Sequence, residues 1–175
     1  LQNVGINPTR TGIIDVLRQC GVSIDIVKAN EVCNEPVGDL VVSASDLRSP
    51  SVLNGSIIAN LIDELPIIAV LGTQLPDGIE VRGAGELRVK ESDRIDAIVT
   101  NLRAIGATVD EFDDGFRILH SDIIGGEVDS FGDHRIAMAF ASAGLLSRDG
   151  VEIKNSNCTD ISFPGFFETL ASLVR

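Results

Sequence analysis

Aromatic side chains and positive charge are both scarce in this sequence. Trp and Tyr are absent, Phe supplies the seven aromatic rings, and 14 Lys and Arg residues stand against 26 Asp and Glu, for a formal net charge of −12. Surfaces that bind nucleic acids need cations for the phosphates and commonly stack bases on aromatic rings. The composition therefore argues against a nucleic-acid partner.

Cysteine and histidine are also scarce. The three cysteines, Cys20, Cys33 and Cys158, are widely spaced, and the two histidines are His120 and His134. No Cys/His spacing matches a zinc site, so we expect no metal. An odd number of scattered thiols is typical of proteins from a reducing cytoplasm.

Long apolar runs are missing as well. No run approaches the roughly 18 residues that span a membrane, and no signal peptide is visible, so we expect a cytoplasmic protein without a membrane partner. The composition is 44% hydrophobic, which suffices for a folded core. The sequence does not begin with Met, and its first residues, LQNVGINPTR, resemble the end of a strand. We therefore expect a piece of a longer protein.

What the sequence does contain is an internal repeat. IDVLRQCGVSID (14–25) aligns with VTNLRAIGATVD (99–110), with Leu, Arg, Gly and Asp at matching positions. Each copy predicts an amphipathic helix, a Gly at its C-terminal end and then a strand. Farther along, the strand VVSASDL (41–47) aligns with RILHSDI (117–123).

A second pair of segments continues the repeat. DELPIIAVLGTQLPDGIEVRG (63–83) resembles DHRIAMAFASAGLLSRDGVEIKN (133–155), and each predicts an apolar helix, an Asp-Gly turn and an alternating strand. These helices are apolar on nearly every face, so we expect them to be buried. The repeat predicts one α/β (α+β) domain made of two βαβαββ-like units at about 1–83 and 84–175.

The remaining segments are predicted from turn residues and periodicity. Residues 34–38 and 48–55 are predicted loops, and a last helix is predicted over 165–174. The helices that follow Thr11 and Ser92 carry more polar positions, so we expect each to face solvent on one side.

Charged clusters stand at the starts of four predicted helices. Helix N-termini attract anions, and Arg has a planar fork that suits carboxylate or phosphate. If the four helix starts lie on one side, they form a cationic surface for a small polyanion on an acidic protein. The clusters are NPTRTG (7–12), IDELP (62–66), VKESDR (89–94) and FGDHR (131–135).

Each cluster also has a simpler interpretation. Asp63 with Pro66 nearby is typical of a helix N-cap, and the Glu, Ser and Asp of VKESDR could be first-turn acids and a cap. Arg135 after an Asp could be a surface cation at a capped helix start, and Arg10 could be a surface cation. His134 could be a solvated neighbour, because no orienting partner is visible in the sequence.

Five segments, in order along the chain, resemble one enzyme family. RVKESDRIDAI (88–98) resembles the signature of the 5-enolpyruvylshikimate-3-phosphate (EPSP) synthase family, the 3-phosphoshikimate 1-carboxyvinyltransferases. FGDHRIAMAFA (131–141) resembles the second C-terminal motif of that family. NPTRTG (7–12), LIDELPIIAV (61–70) and SFPGFFETL (162–170) resemble three further segments.

The resemblance implies a fold and a reaction. Family members have two similar domains, each made of three βαβαββ units around buried parallel helices, with the sheets outside. This chain would be most of the C-terminal domain, with the N-terminal domain absent. The family transfers the enolpyruvyl group of phosphoenolpyruvate to the 5-hydroxyl of shikimate 3-phosphate in aromatic amino acid biosynthesis, without metal or cofactor. We expect a monomer, and we expect the chain alone to be inactive.

The resemblance also implies roles for residues in proton transfer. Asp63 matches the proton acceptor of the family, and Lys90 matches the lysine that contacts the shikimate hydroxyl and the phosphoenolpyruvate. Glu91 matches the acid implicated in proton transfer at the methylene carbon. These three residues are the predicted catalytic residues.

The remaining site residues implied by the resemblance bind substrate. Arg94 and Arg135 match the two arginines that bind phosphoenolpyruvate, and His134 lines the same pocket, while Asp63 and Lys90 also contact substrate. Two cations four residues apart on a helix, such as the Lys and Arg of VKESDR, repel one another. We expect a bound polyanion to neutralise them.

Two positions depart from the family, and other functions stay open. Ile161 stands where many members carry Lys, and Glu86 stands where Asn is common, so no role is predicted for Glu86. The alternatives are the sister enzyme UDP-N-acetylglucosamine enolpyruvyl transferase, an RNA-processing protein built from the same repeat, like RNA 3′-phosphate cyclase, and a non-catalytic repeat domain.

Overall fold

Two three-stranded antiparallel sheets are built in the same order in the computed structural model, which describes residues 1–174. The first sheet has strand order β1-β3-β2, and the second has the order β4-β6-β5. The bounds are β1 Val4–Gly5, β2 Ser23–Val32, β3 Glu35–Ser43, β4 Ile79–Val81, β5 Val109–Phe112 and β6 Gly115–Ile118.

Six α-helices connect and cover these sheets. None of the helices in residues 1–174 combines the length and the apolar character that crossing a bilayer would require. The bounds are α1 Gly12–Gln19, α2 Ser56–Leu61, α3 Leu65–Gly72, α4 Arg94–Ala104, α5 His134–Leu146 and α6 Phe166–Leu173, with short 3₁₀ helices at Gly85–Val89 and Ser156–Ile161.

Parallel pairing occurs once in each half of the chain. Strands β7 (Gly126–Asp129) and β8 (Val151–Lys154) pair in parallel and are connected through α5. In the first half, Leu53 forms a parallel bridge with Val81 of β4, and the connection passes through α2 and α3. Such crossovers place a helix against the sheet, which is how α3 and α5 come to lie in the core.

The corner between helix and strand has the same hydrogen bonds in both halves. Gly21 after α1 and Gly106 after α4 have φ of +89° and +99°, and the next N–H donates to a carbonyl five residues back at 3.0 and 2.9 Å. This is the Schellman arrangement, which favours Gly. Nη2 of Arg18 and of Arg103, at matching positions, donates to a carbonyl of the following strand at 2.8 Å in each case.

The two apolar helices are buried side by side, as predicted. Ile68 of α3 and Phe140 of α5 are almost wholly buried. Asp63 and Arg135, at the two helix starts, are in contact, and a groove is lined by Leu71 and Leu146 near the two helix ends. The helices therefore run in the same direction, and their N-termini lie together.

One loop prediction is wrong. Residues 48–55 contain no helix or strand, but β3 begins at Glu35, inside the predicted loop 34–38. Cys33 and Asn34 have φ of +53° and +64°, and so form a two-residue hairpin turn with both φ values positive. Such a turn matches the twist of the strands, which therefore pair right up to it. The mixed α/β class and the helix near the C-terminus are confirmed.

The close approach of two backbones at Gly78 gives a test of this packing. A Cβ at Gly78 (φ +72°) would lie 1.9 Å from the carbonyl oxygen of Ile118, whereas a Cβ at Gly83 (φ +74°) would meet nothing within 4 Å. Gly83→Ala should cost only the left-handed strain, about 1 kcal/mol of unfolding free energy. Gly78→Ala adds a backbone clash and should cost at least about 3 kcal/mol.

Urea unfolding curves of the two variants and the wild type measure both values. Equal losses for the two variants would contradict the packing at Gly78, because their backbone strain is matched.

Candidate functional site

Three helix starts meet at one carboxylate. Asp63 lies in the turn before α3, Arg94 is the first residue of α4, and Arg135 is the second residue of α5. Asp63 Oδ1 is 3.3 Å from Arg94 Nη1, and Asp63 Oδ2 is 3.1 Å from Arg135 Nη2. Arg135 Nη1 also donates to the Asp63 carbonyl oxygen at 3.3 Å. Salt bridges thus connect three residues that are far apart in the sequence.

Arg94 lies at the centre of this group. Its side chain is 1% exposed, Nε is 2.7 Å from Asp133 Oδ2, and Nη2 is 2.6 Å from Glu91 Oε2. A buried cation is costly unless it is paired and hydrogen-bonded, and three carboxylates surround this one. We call Asp63, Glu91, Arg94, Asp133 and Arg135 the Asp63 cluster.

Asp133 is the most deeply buried acid of the Asp63 cluster. Its side chain has no exposed surface, and besides Arg94 it accepts hydrogen bonds from the backbone N–H of Arg135 at 2.9 Å and from Ser92 Oγ at 3.3 Å. Burial by itself would raise the pKa of Asp133, but the hydrogen bond from Arg94 and the backbone N–H groups outweigh it. The pKa therefore lies below the ordinary value, and the ionised form is favoured.

The two cations of the charged run are paired within the chain. Lys90 Nζ contacts Glu86 Oε1, four residues earlier, and Arg94 contacts Glu91, three residues earlier. The sequence led us to expect a bound polyanion to neutralise Lys90 and Arg94. In the structure each of these cations is paired with a glutamate of the same chain. An anionic ligand would therefore have to replace the glutamates.

Two predicted site residues stand outside the Asp63 cluster. The pairing of Lys90 with Glu86 does not connect it to the cluster, and His134, the first residue of α5, makes no side-chain hydrogen bond within residues 1–174. Ile161 is 80% exposed. Four of the six predicted site residues are therefore in one contact network, the Asp63 cluster. They are Asp63, Glu91, Arg94 and Arg135.

Helix capping distinguishes the acids. The interpretation of Asp63 as an N-cap is wrong, because the N-cap of α3 is Glu64 and the Asp63 carboxylate binds the two arginines instead. Asp93 and Asp133 are caps: their side chains accept backbone N–H groups in the first turns of α4 and α5. Only Asp133 combines the cap with an ion pair inside the cluster.

A small cavity adjoins the Asp63 cluster between α3 and α5. Its volume is about 190 Å³, below the roughly 300–1,000 Å³ of typical ligand pockets. Burial raises the pKa of Glu64 in its wall, although the attraction of Arg135 opposes the rise. The cavity is lined by Asp63, Glu64, Pro66, Ile67, Arg135, Met138, Ala139, Ser142 and Phe166.

Sequence reasoning missed Asp133 as a member of the site. The sequence indicates for it only a place in the FGDHR cluster and at the start of a helix. The signal was present in the repeat, because Asp133 aligns with Asp63 at the start of the second apolar helix. Equivalent positions in the two halves thus supply two carboxylates to one buried arginine.

The pH dependence of stability tests the role of Asp133. Its folded-state pKa is below the unfolded value of about 3.9, so the carboxylate stabilises the fold above that pH, and the contribution is lost as the pH falls through the folded-state pKa. Asp133→Asn should cost about 3 kcal/mol near neutral pH because Arg94 loses the wholly buried acid that pairs with its Nε. The difference from wild type should be smaller at about pH 3, below the unfolded value, than at about pH 7.

Urea unfolding at the two pH values measures this difference. Asp149→Asn is the control, because Asp149 is 58% exposed beside Arg148 and its removal should change stability by less than about 0.5 kcal/mol. A difference for Asp133→Asn that stayed constant with pH would contradict an ionised Asp133.

Known proteins are similar to this chain in sequence. A family model described as EPSP synthase (3-phosphoshikimate 1-carboxyvinyltransferase) matches residues 1–170. A protein of Pelobacter propionicus named 3-phosphoshikimate 1-carboxyvinyltransferase is 48% identical over 97% of this chain and 39% of its own length. One of the same name from Bacillus velezensis is 43% identical over 100% of this chain and 41% of its own.

Solved structures give the same result. EPSP synthase from Acinetobacter baumannii has a TM-score of 0.92 and 34% identity, over 98% of this chain and 40% of that protein. The enolpyruvyl transferase NikO from Streptomyces tendae, at 18% identity and a TM-score of 0.63 over 94% of this chain and 35% of its own, shares the fold.

The matches show which family the chain belongs to and how much of its relatives' length it covers. The chain spans about 40% of the length of the curated relatives that it matches. Sequence and structure agree along nearly the whole of it. The chain belongs to the EPSP synthase (3-phosphoshikimate 1-carboxyvinyltransferase) family.

Proposed function

We propose that this chain is part of an enzyme that transfers the enolpyruvyl group of phosphoenolpyruvate to the 5-hydroxyl of shikimate 3-phosphate. One observation carries the proposal: the Asp63 carboxylate bridges Arg94 and Arg135, so that a candidate base and two cations meet at the starts of three helices. The relatives named 3-phosphoshikimate 1-carboxyvinyltransferase and the EPSP synthase fold support it.

The reaction needs two proton transfers and a place for phosphate. In the addition step the acceptor hydroxyl oxygen bonds to the central carbon of the enol, its proton goes to a base, and the methylene carbon receives a proton. In the elimination step the bond to phosphate breaks, phosphate leaves, and the methyl group loses a proton. Positioned acids, bases and cations can supply all of these functions.

Asp63 and Glu91 are proposed to transfer the protons. Asp63 is the acceptor for the hydroxyl proton, because two guanidinium groups fix its carboxylate at the wall of the cavity. Glu91 is 52% exposed and contacts buried Arg94, so it can leave that contact and carry a proton to or from the methylene carbon.

The cations are proposed to bind the phosphate and carboxylate of the donor. Arg135 is 30% exposed and lines the cavity, so it can present its guanidinium to an anion, whereas Arg94 is buried and contacts the Asp63 carboxylate. Lys90 would exchange Glu86 for the donor and the acceptor hydroxyl, and His134, at the N-terminal end of α5, would line the same pocket. The dipole of that helix end also favours an anion.

The rest of the cleft is proposed to come from a longer chain. Coverage of about 40% of the relatives and a cavity of only about 190 Å³ support a longer parent enzyme. The parent is proposed to have two domains and to be cytoplasmic. This chain would be most of its C-terminal domain, with two units at about 1–83 and 84–175. The matched corners at Gly21 and Gly106 support the division into units.

Phosphate release with each acceptor tests the activity. The full-length parent should release phosphate from phosphoenolpyruvate with shikimate 3-phosphate and not with UDP-N-acetylglucosamine, while the 175-residue chain should show no turnover because half of the cleft is missing. Turnover with the UDP-sugar would favour the sister enzyme. Turnover by the chain alone would refute the need for a second domain.

Asp63→Asn in the full-length parent tests the proposed base. The substitution keeps the shape of the side chain and removes the proton acceptor, so the turnover rate should fall by about 10²–10⁴. Stability should fall less than in Asp133→Asn, because Arg94 keeps its wholly buried partner Asp133. Asp110→Asn, on an exposed strand position, is the control and should keep full activity. A rate within a few-fold of wild type would remove Asp63 from the chemistry.

A further inference from the structure

We propose that Arg88 is a positioning residue of the same site, and that it closes and anchors the loop that carries Lys90 and Glu91. Arg88 was not predicted to have a role, although it belongs to the charged run RVKESDR. The inference rests on the proposed function for its effect on rate, but the contacts that carry it are independent of that function.

The side chain of Arg88 closes the loop on itself. Arg88 Nη1 donates to Asp93 Oδ2 at 2.9 Å, while Asp93 Oδ1 accepts the backbone N–H of Asp96 as the cap of α4. The ion pair therefore connects the end of the 3₁₀ helix with the start of α4. Residues 89–92 form the closed loop between these two points.

A second set of bonds anchors the closed loop to the β5–β6 hairpin. Arg88 Nε donates to the carbonyl of Asp113 at 2.8 Å, and Nη2 donates to the carbonyl of Phe112 at 2.8 Å and to Glu111 Oε1 at 3.0 Å. The hydrogen bonds with Glu111 and then Asp93 raise the pKa of Arg88. All three guanidinium nitrogens are engaged in the structure.

The other contacts of the loop come from its own side chains: Lys90 pairs with Glu86, Glu91 pairs with Arg94, and Ser92 donates to Asp133. Leu87 before it is fully buried and Arg94 after it is buried, but Val89 is 80% exposed and Glu91 is half-exposed. Loops with few buried contacts open most easily. Because Lys90 and Glu91 are proposed to leave their partners during the reaction, their position then depends on the connection that Arg88 makes.

Lysine cannot replace this connection. The guanidinium is a planar fork with five N–H donors, and Arg88 uses it for four acceptors in different directions, whereas an ammonium is a point charge on a flexible stem. Arg88→Lys thus keeps the charge and loses the geometry. A displacement of about 1 Å in a catalytic group can cost about 100-fold in rate.

Steady-state kinetics of the full-length parent test the effect on rate. Arg88→Lys should lower kcat about 10- to 100-fold, while Arg82→Lys should stay within about threefold of wild type. Arg82 is a matched control, because it also lies against the hairpin, 3.3 Å above the Phe112 ring, and pairs with Glu80. Added guanidinium ion should restore part of the rate of Arg88→Ala and none of the rate of Asp63→Asn.

Amide hydrogen exchange of the 175-residue chain tests the anchoring without any activity. In Arg88→Lys the amide of Asp96, whose acceptor is the Asp93 side chain that Arg88 holds, should exchange at least about tenfold faster than in wild type, with the amides of α5 unchanged. Faster exchange everywhere would show a general loss of stability and overturn the proposal, as would unchanged exchange at Asp96 or an unchanged kcat.

The two sets of results separate the two proposals. If the wild-type parent transfers no enolpyruvyl group, the proposed function fails, and the exchange data still decide whether Arg88 anchors the loop. If the parent is active and the Arg88 variant behaves like the Arg82 control, the function stands and the role of Arg88 is refuted.

Discussion

The ion pair between Arg94 and Asp133, both without solvent exposure, is the interaction on which the site depends. A buried guanidinium is costly unless carboxylates and hydrogen bonds compensate it, and the compensation here comes from Asp63, Glu91 and Asp133. These acids precede or begin three different helices. Satisfying one buried charge therefore requires the starts of α3, α4 and α5 to lie together, and this requirement sets the geometry in which any ligand would be bound.

The acids around the cations differ in how easily they can be exchanged. Exposed pairs such as Lys90 with Glu86, whose carboxylate is 67% exposed, contribute about 0–1 kcal/mol, so an incoming anion can replace the glutamate at little cost. Asp133 is wholly buried and caps α5, so it stays with Arg94. An acidic protein can thus contain a cationic site for a phosphate or carboxylate. Exposed glutamates pair with the cations in the absence of a ligand, and a bound anion can replace them.

Much of the fold was predictable, because the repeat has a clear local signature. The Gly residues after α1 and α4 and the apolar runs of α3 and α5 follow from backbone conformation and hydrophobic periodicity, which act within a few residues. The hairpin turn at Cys33 and Asn34 was missed because neither residue type requires a positive φ. The repeat also conceals a difference: Val16 of α1 aligns with Asn101 of α4, which is buried and exchanges two hydrogen bonds with the backbone of Asp129.

By itself the sequence determined the mixed α/β class, the two buried helices, and the family through its ordered motifs. Only the tertiary structure decided which acid meets which cation. Asp63, Asp93 and Asp133 all stand near predicted helix starts, yet Asp63 bridges two arginines, Asp93 caps a helix and holds Arg88, and Asp133 caps a helix and neutralises Arg94. The physical reason is that capping is a local property of the chain, whereas the pairing of charges depends on burial and distance between segments that are far apart in sequence.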